Sequence, residues 1–214
     1  MPDRLLAVPP GYDPDSQAVV GLMAASFDDQ SRRLRETVAG LGAEHLEWQE
    51  RPGRNTIGML MAHLAGTEIG WLYIGCAGLS YEDDSQRVME EHLGAASSAG
   101  MPLAEDGVHP ENLKGWDVEG YFDLLARSRT ATHELLKSWD DASLDKTFGG
   151  GGMTFSHRWV LYHLLEHFAA HFGQIRGLLH FIETTGWRAY RRNLRHSSRW
   201  DSVILAIPLQ RGIY

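Results

Sequence analysis

Three histidines, His163, His167 and His171, recur at four-residue intervals in the run LYHLLEHFAAHFGQIRGL from Leu161 to Leu178. A helix turns about 100° per residue, so side chains four apart stand one above the other with Cβ atoms about 5–6 Å apart. Two imidazoles so placed can reach one ion, because Zn–N bonds are about 2.0–2.1 Å. Counting rotations from Val160, the face that holds Val160, Leu164, Ile175, Leu178 and Ile182 also holds His167 and His171 near its middle. His163 falls on the flank of that face. Polar rings inside a core stripe need partners, and a metal ion is one such partner. The third imidazole is most naturally His63, in the middle of the other strongly apolar segment, TIGMLMAHLAGTEIGWLYIG. Three neutral imidazoles leave one or more positions open on a divalent ion, the pattern of a catalytic site and not of a closed structural one. Zinc is the first expectation, with nickel and manganese as alternatives. An open-site zinc lowers the pKa of bound water towards about 7, or holds a thiol as its thiolate. The competing reading of the same residues is a polar core network of hydrogen bonds.

Other residues carry weaker signals. Glu68, on an apolar face beside Leu64 and Trp71, is a candidate general base near the metal; a buried Glu of this kind also commonly pairs with an arginine. Arg176 and the arginines from 188 to 199 are candidates for holding an anionic cofactor or substrate carboxylate, or form a solvated basic surface. Gln174 can hydrogen-bond a ligand histidine. Cys76 reads as a small buried hydrophobe with no assigned role. The run Gly149-Gly150-Gly151-Gly152 lacks the Lys-Ser/Thr of a phosphate-binding loop and reads as a flexible turn.

Four amphipathic segments must position these groups. Asp13-Pro14 predicts a helix start, followed by a core stripe of Val19, Leu22, Met23, Ser26, Phe27, Leu34 and Val38 and a stop near Gly40. Asn55 or Thr56 caps the second helix. Residues 79–115 read as an inter-helix insertion, with YEDDSQRVMEEHLG as a short exposed helix within it. Asp117 caps a third helix with Tyr121, Leu124, Leu125, Ser128, Thr132, Leu135 and Leu136 facing inward, and Ser156 starts the histidine helix, which ends near Gly186. Residues 187–214 form a carboxy-terminal extension with a basic patch and the apolar VILAIPL segment, which needs cover from the bundle or from another subunit, so a homodimer is expected. With no convincing strand run, the chain is expected to be all-α, one four-helix bundle domain over residues 1–214.

Composition narrows the function classes. A net charge of -8 over 214 residues disfavours nucleic acid and anionic membranes as partners. The single cysteine excludes an intramolecular disulfide framework and points to a reducing compartment. The amino terminus carries an acid and prolines where a signal peptide needs an apolar run, and no apolar run approaches the eighteen or so residues of a membrane helix. The expectation is a soluble, cytoplasmic protein.

HLLEHFAAHFGQI resembles the fourth-helix signature of the DinB/YfiT-like superfamily, histidine, three residues, histidine, then Gly-Gln-Ile, and NTIGMLMAHLAGTEIGWL is similar to its second-helix signature. The resemblance implies an up-down-down-up four-helix bundle with a divalent metal held by His63, His167 and His171. It also implies the chemistry of the better-understood members, thiol-dependent S-transferases and isomerases that use a low-molecular-weight thiol against small electrophiles. Metal-dependent hydrolysis by metal-bound water and a non-enzymatic, stress-induced binding bundle are the alternatives. Ala170-His171-Phe172 stands where His-His-Arg is common, which leaves the ligand position in place and alters its surroundings.

Overall fold

The computed structural model describes residues 6–94 and 107–185. In chain order the helices are α1 (Ala18–Val38), α2 (Ala43–Leu46), α3 (Ile57–Ile69), α4 (Tyr81–Leu93), α5 (Val118–Lys137) and α6 (His157–Thr185), with a hairpin of β1 (Thr147–Gly150) and β2 (Met153–Ser156) before α6. The protein is all-α apart from that hairpin. The chain divides into two compact units, Met1–Leu179 and His180–Tyr214. All packing described below lies within the first. The arginine patch from 188 to 199 and the apolar segment 203–209 lie outside the described residues. No described helix is long and apolar enough to cross a membrane.

Local chemistry sets the helix starts. Thr56, Ser80 and Asp117 each accept a backbone N–H three residues on, at Met59, Asp83 and Gly120, which satisfies donors that the first turn leaves open. The first helix departs from its expected start. Asp13 closes a turn, accepting from the Asp15 backbone and the Ser16 hydroxyl, and α1 begins only at Ala18. The carboxylate of Asp141, far along the chain, caps it by accepting from the Val19 and Val20 N–H groups. The inward stripe of α1 is also rotated from the expected one. Val20, Gly21, Ala24 and Ala25 are buried with Phe27, Leu34 and Val38, whereas Val19 and Leu22 are exposed. The small residues admit close neighbours: a Cβ on Gly21 would meet Val8 Cγ1 at 2.7 Å.

α3 packs against α5 through the Ser128 hydroxyl on the Ala65 carbonyl (3.2 Å) and, past the end of α3, the Tyr73 hydroxyl on the Ala131 carbonyl (2.7 Å). One core cluster joins Val20, Ala24 and Phe27 of α1 to Leu136 of α5 and to Val160, Leu161 and Leu164 of α6. Beyond Ile69 the chain widens into a π-helical turn, Gly70–Gly75, marked by the i→i+5 bonds from Cys76 N–H to Trp71 O and Leu79 N–H to Ile74 O. Such turns recur beside functional sites.

The hairpin corrects the strand-free expectation. Thr147 pairs with Ser156 and Gly150 with Met153, and Gly151 and Gly152 form the two-residue turn with φ of 57° and 78°. Two consecutive positive φ values favour glycine and match the twist of a tight hairpin. The glycine run therefore shapes a turn between two short strands.

Candidate metal centre

α3 is sealed on nearly every side. Between Ile57 and Ile69 all residues are buried except His63, Gly66 and Thr67, which share one face at helical spacing. This narrow opening is where the helix meets a cleft of about 740 Å³. α6 sets a second stripe, Trp159, His163, His167 and His171, again four residues apart, beside His63, the one of these histidines that lines the cleft. The buried stripe of α6 runs through Leu161, Leu164, Phe168, Phe172 and Ile175. His167 and His171 are half-buried on its edge, not at its centre as the rotation count from Val160 predicts. The bulky Leu161, Phe168 and Phe172 pull the inward direction towards themselves.

The three candidate ligands converge. Nε2 of His63 and Nε2 of His171 each lie 3.0 Å from Nε2 of His167, and one nitrogen from each ring falls within 4.8 Å of the others. Two nitrogens on one ion with bonds of about 2.0–2.1 Å sit roughly 3.0–3.4 Å apart, so the spacing suits a single metal. Proton counting points the same way. His171 Nδ1 lies 3.0 Å from Gln174 Oε1, an acceptor, so its proton sits on Nδ1 and its Nε2 presents a lone pair. His167 Nε2 carries at most one hydrogen, which can be directed along only one of its two 3.0 Å contacts. With His171 Nε2 as an acceptor, a hydrogen-bonded network leaves one of these two contacts without a hydrogen bond; a cation satisfies all three nitrogens. Burial, reinforced by the neighbouring His171, pushes His63 down to about 4 and His167 down to about 3, so these rings stay neutral and able to ligate at pH 7. The set fits a divalent ion.

The other candidates are placed elsewhere. Glu68 points at α5, where Arg129 Nη2 lies 3.0 Å from its Oε2 and the Thr132 hydroxyl donates to its Oε1. Five residues beyond His63, it faces away from the histidines and belongs to a buried ion pair. Arg176 is exposed and is not among the residues lining the cleft. His163 stacks on Trp159 with rings 4.7 Å apart and nearly parallel, and meets Trp71 edge-on at 5.4 Å. The Cys76 thiol is pushed up to about 12 by burial, consistent with an inert residue. Thr67 was not singled out from the sequence, although its place one turn beyond His63 is a signal for it; its hydroxyl lies 3.2 Å from His63 Nε2. The hairpin aromatics Phe148 and Phe155, which wall the cleft with Trp71, were missed. Their only sequence signal was their near-symmetric placement about the glycine run.

A search of curated proteins finds no match. Among solved structures, the crystal structure of a conserved protein of locus from Enterococcus faecalis has a similar fold, with a TM-score of 0.54 and 17% identity over 75% of this chain and 94% of that one. The family model for the DinB superfamily matches residues 26–175, a stretch that contains His63, His167 and His171. The match spans well over half of the chain and includes both helices whose histidines converge, and this chain belongs to the DinB superfamily.

Proposed function

We propose that this chain is a metal-dependent enzyme that transfers or isomerises small electrophiles with the help of a low-molecular-weight thiol. The observation that carries the reading is the meeting of three Nε2 atoms from α3 and α6, one of them on His63 of the cleft lining, in an arrangement that hydrogen bonds alone leave partly unpaired. His63, His167 and His171 would hold the ion. A divalent ion bound there would supply the positive charge that favours a thiolate over a thiol at neutral pH. The chain's own groups do the rest. Gln174 fixes the ring orientation and tautomer of His171, burial keeps His63 and His167 unprotonated, and Trp71 with Trp159 covers the side of His163.

Among the described residues, no aspartate or glutamate lines the cleft, and Glu68, the carboxylate nearest in sequence to His63 on α3, is committed to Arg129. Hydrolysis here would draw on the ion alone to form hydroxide, and the requirement for a thiol separates the two readings. The test is a screen of thiols against small electrophiles, following both thiol consumption and conversion of the electrophile, with wild type beside His167→Ala. Turnover that needs both a thiol and His167 supports the reading. Turnover without thiol favours hydrolysis, and thiol-dependent turnover that survives His167→Ala overturns the proposal.

A further inference from the structure

Seven of the sixteen residues that line the cleft are glycine, and none is Asp, Glu, Lys or Arg. The glycines strip side chains from its walls: the position of a Cβ on Gly66, on α3 between His63 and Thr67, has no atom within 4 Å, and the same holds at Gly78 and Gly151. One wall is a rigid aromatic set. Trp71 meets Phe155 edge-on at 5.2 Å between ring centres, and Phe148 and Phe155 lie 5.7 Å apart across the hairpin. Large apolar side chains stand uncovered at the rim, with Leu79 39%, Tyr81 50% and Met153 61% exposed. Met89 lies on another side. Besides the Tyr81 hydroxyl and the Trp71 indole N–H, the polar groups of the lining side chains are those of His63 and Thr67, which adjoin His167.

We infer that this cleft binds the body of an uncharged, aromatic-sized co-substrate, with its reactive end directed at His63 and Thr67 and its apolar part lying between Trp71 and the hairpin. The inference rests on the metal-enzyme reading for the word co-substrate; the binding itself does not. A volume of about 740 Å³ is that of a small-molecule pocket, for which roughly 300–1,000 Å³ is usual. An ionised ligand body would lose water here without gaining a partner, an expensive exchange. A flat ring gains edge and face contacts from the fixed aromatics, close approach to backbone at the glycines, and adaptable contact from Met89 and Met153. Uncovered apolar surface of this kind marks a groove that a ligand covers. The charged part of a thiol cofactor therefore lies outside this cleft.

The experiment uses two fluorescent probes on the full metal-loaded chain: neutral N-phenyl-1-naphthylamine, and 1-anilinonaphthalene-8-sulfonate, which has the same ring systems and a negative charge. The neutral probe should bind at least ten-fold more tightly than the sulfonate. Gly66→Leu, whose side chain enters open space, should weaken the neutral probe at least ten-fold while metal content and melting temperature stay at wild-type values. Met153→Asp, at an exposed strand position, should weaken it as well and serves if Gly66→Leu fails to fold. No binding of the neutral probe, equal binding of the two probes, or unchanged binding in both variants overturns the inference. Metal content of the same samples is a separate reading: probe binding in a wild type that takes up no metal leaves the cleft assignment standing and sinks the metal-enzyme reading.

Discussion

Replacing Arg129 by methionine removes the cation from a pair whose side chains are only 11% and 7% exposed, with Nη2 3.0 Å from Glu68 Oε2. The neighbouring Asp28 carboxylate lies 3.8 Å from Arg129 Nε, and the guanidinium sits 5.0 Å from the Phe27 ring centre. Breaking a buried pair from one side leaves an uncompensated charge, which costs about 3–5 kcal/mol. For a chain of this size each kcal/mol moves the melting temperature by about 2–4 °C, so Arg129→Met should melt roughly 6–20 °C below wild type. The double variant Glu68→Gln with Arg129→Met keeps the acceptor for Thr132 and leaves no buried carboxylate at position 68. It should recover at least half of that loss. Urea unfolding in EDTA, followed by tryptophan fluorescence, measures both without contributions from metal linkage. A single variant within about 1 kcal/mol of wild type, or a double variant no better than the single, would refute the reasoning. Loss of thiol-dependent turnover in Glu68→Gln at unchanged stability and metal content would return Glu68 to a catalytic role.

Further outcomes follow from single contacts. Gln174→Ala removes the acceptor that fixes the His171 tautomer, and metal affinity should fall about 10–100-fold, read by competition with a chromogenic chelator. An alanine Cβ at Gly58 would collide with the Tyr121 hydroxyl and its ring Cζ and press on the Leu46 carbonyl at 3.2 Å; Gly58→Ala should destabilise by about 1–3 kcal/mol despite its better helix propensity, and adding Tyr121→Phe, which leaves Cζ 2.6 Å away, should relieve only part of it in a urea titration. His109, buried with Nδ1 2.8 Å from the Thr56 hydroxyl, has its pKa lowered chiefly by burial. The unfolded chain then binds the proton more readily, so this contribution to stability is complete above the unfolded value of about 6.5 and is lost as pH falls below it. Unfolding midpoints from pH 7.5 to 5 should drop less in His109→Gln than in wild type.

Much of this was legible because the decisive signals were local. Thr56, Ser156 and Asp117 mark helix starts in the structure as in the sequence, and the four-residue spacing of the histidines fixes their common edge of α6. His63 was identifiable as a histidine inside a helix that is otherwise apolar all round. What escaped depended on partners distant in sequence. The true cap of α1 is Asp141, more than a hundred residues away, and nothing near Asp13 reveals it. The pairing of Glu68 with Arg129 was foreseen in kind but not in partner, because many arginines compete on paper for one buried carboxylate. The inward face of α1 was misjudged because size outranked hydropathy: Gly21 and Ala24 go inside, Gly21 against Val8 and Tyr12 of the lead-in segment, and Leu22 is left at the surface. The hairpin was hidden by its brevity, since four residues on each side of a glycine run give too little alternation to read as strands.

The central claim is that His63, His167 and His171 form one metal centre. Elemental mass spectrometry on untagged protein, with wild type beside His63→Ala and His171→Ala, tests it most directly. The account predicts about one equivalent of a divalent metal in wild type and its loss in both variants, although the two residues lie on different helices. A wild type that holds no metal and takes up none on adding zinc, nickel or manganese would contradict it, as would variants that keep the full equivalent.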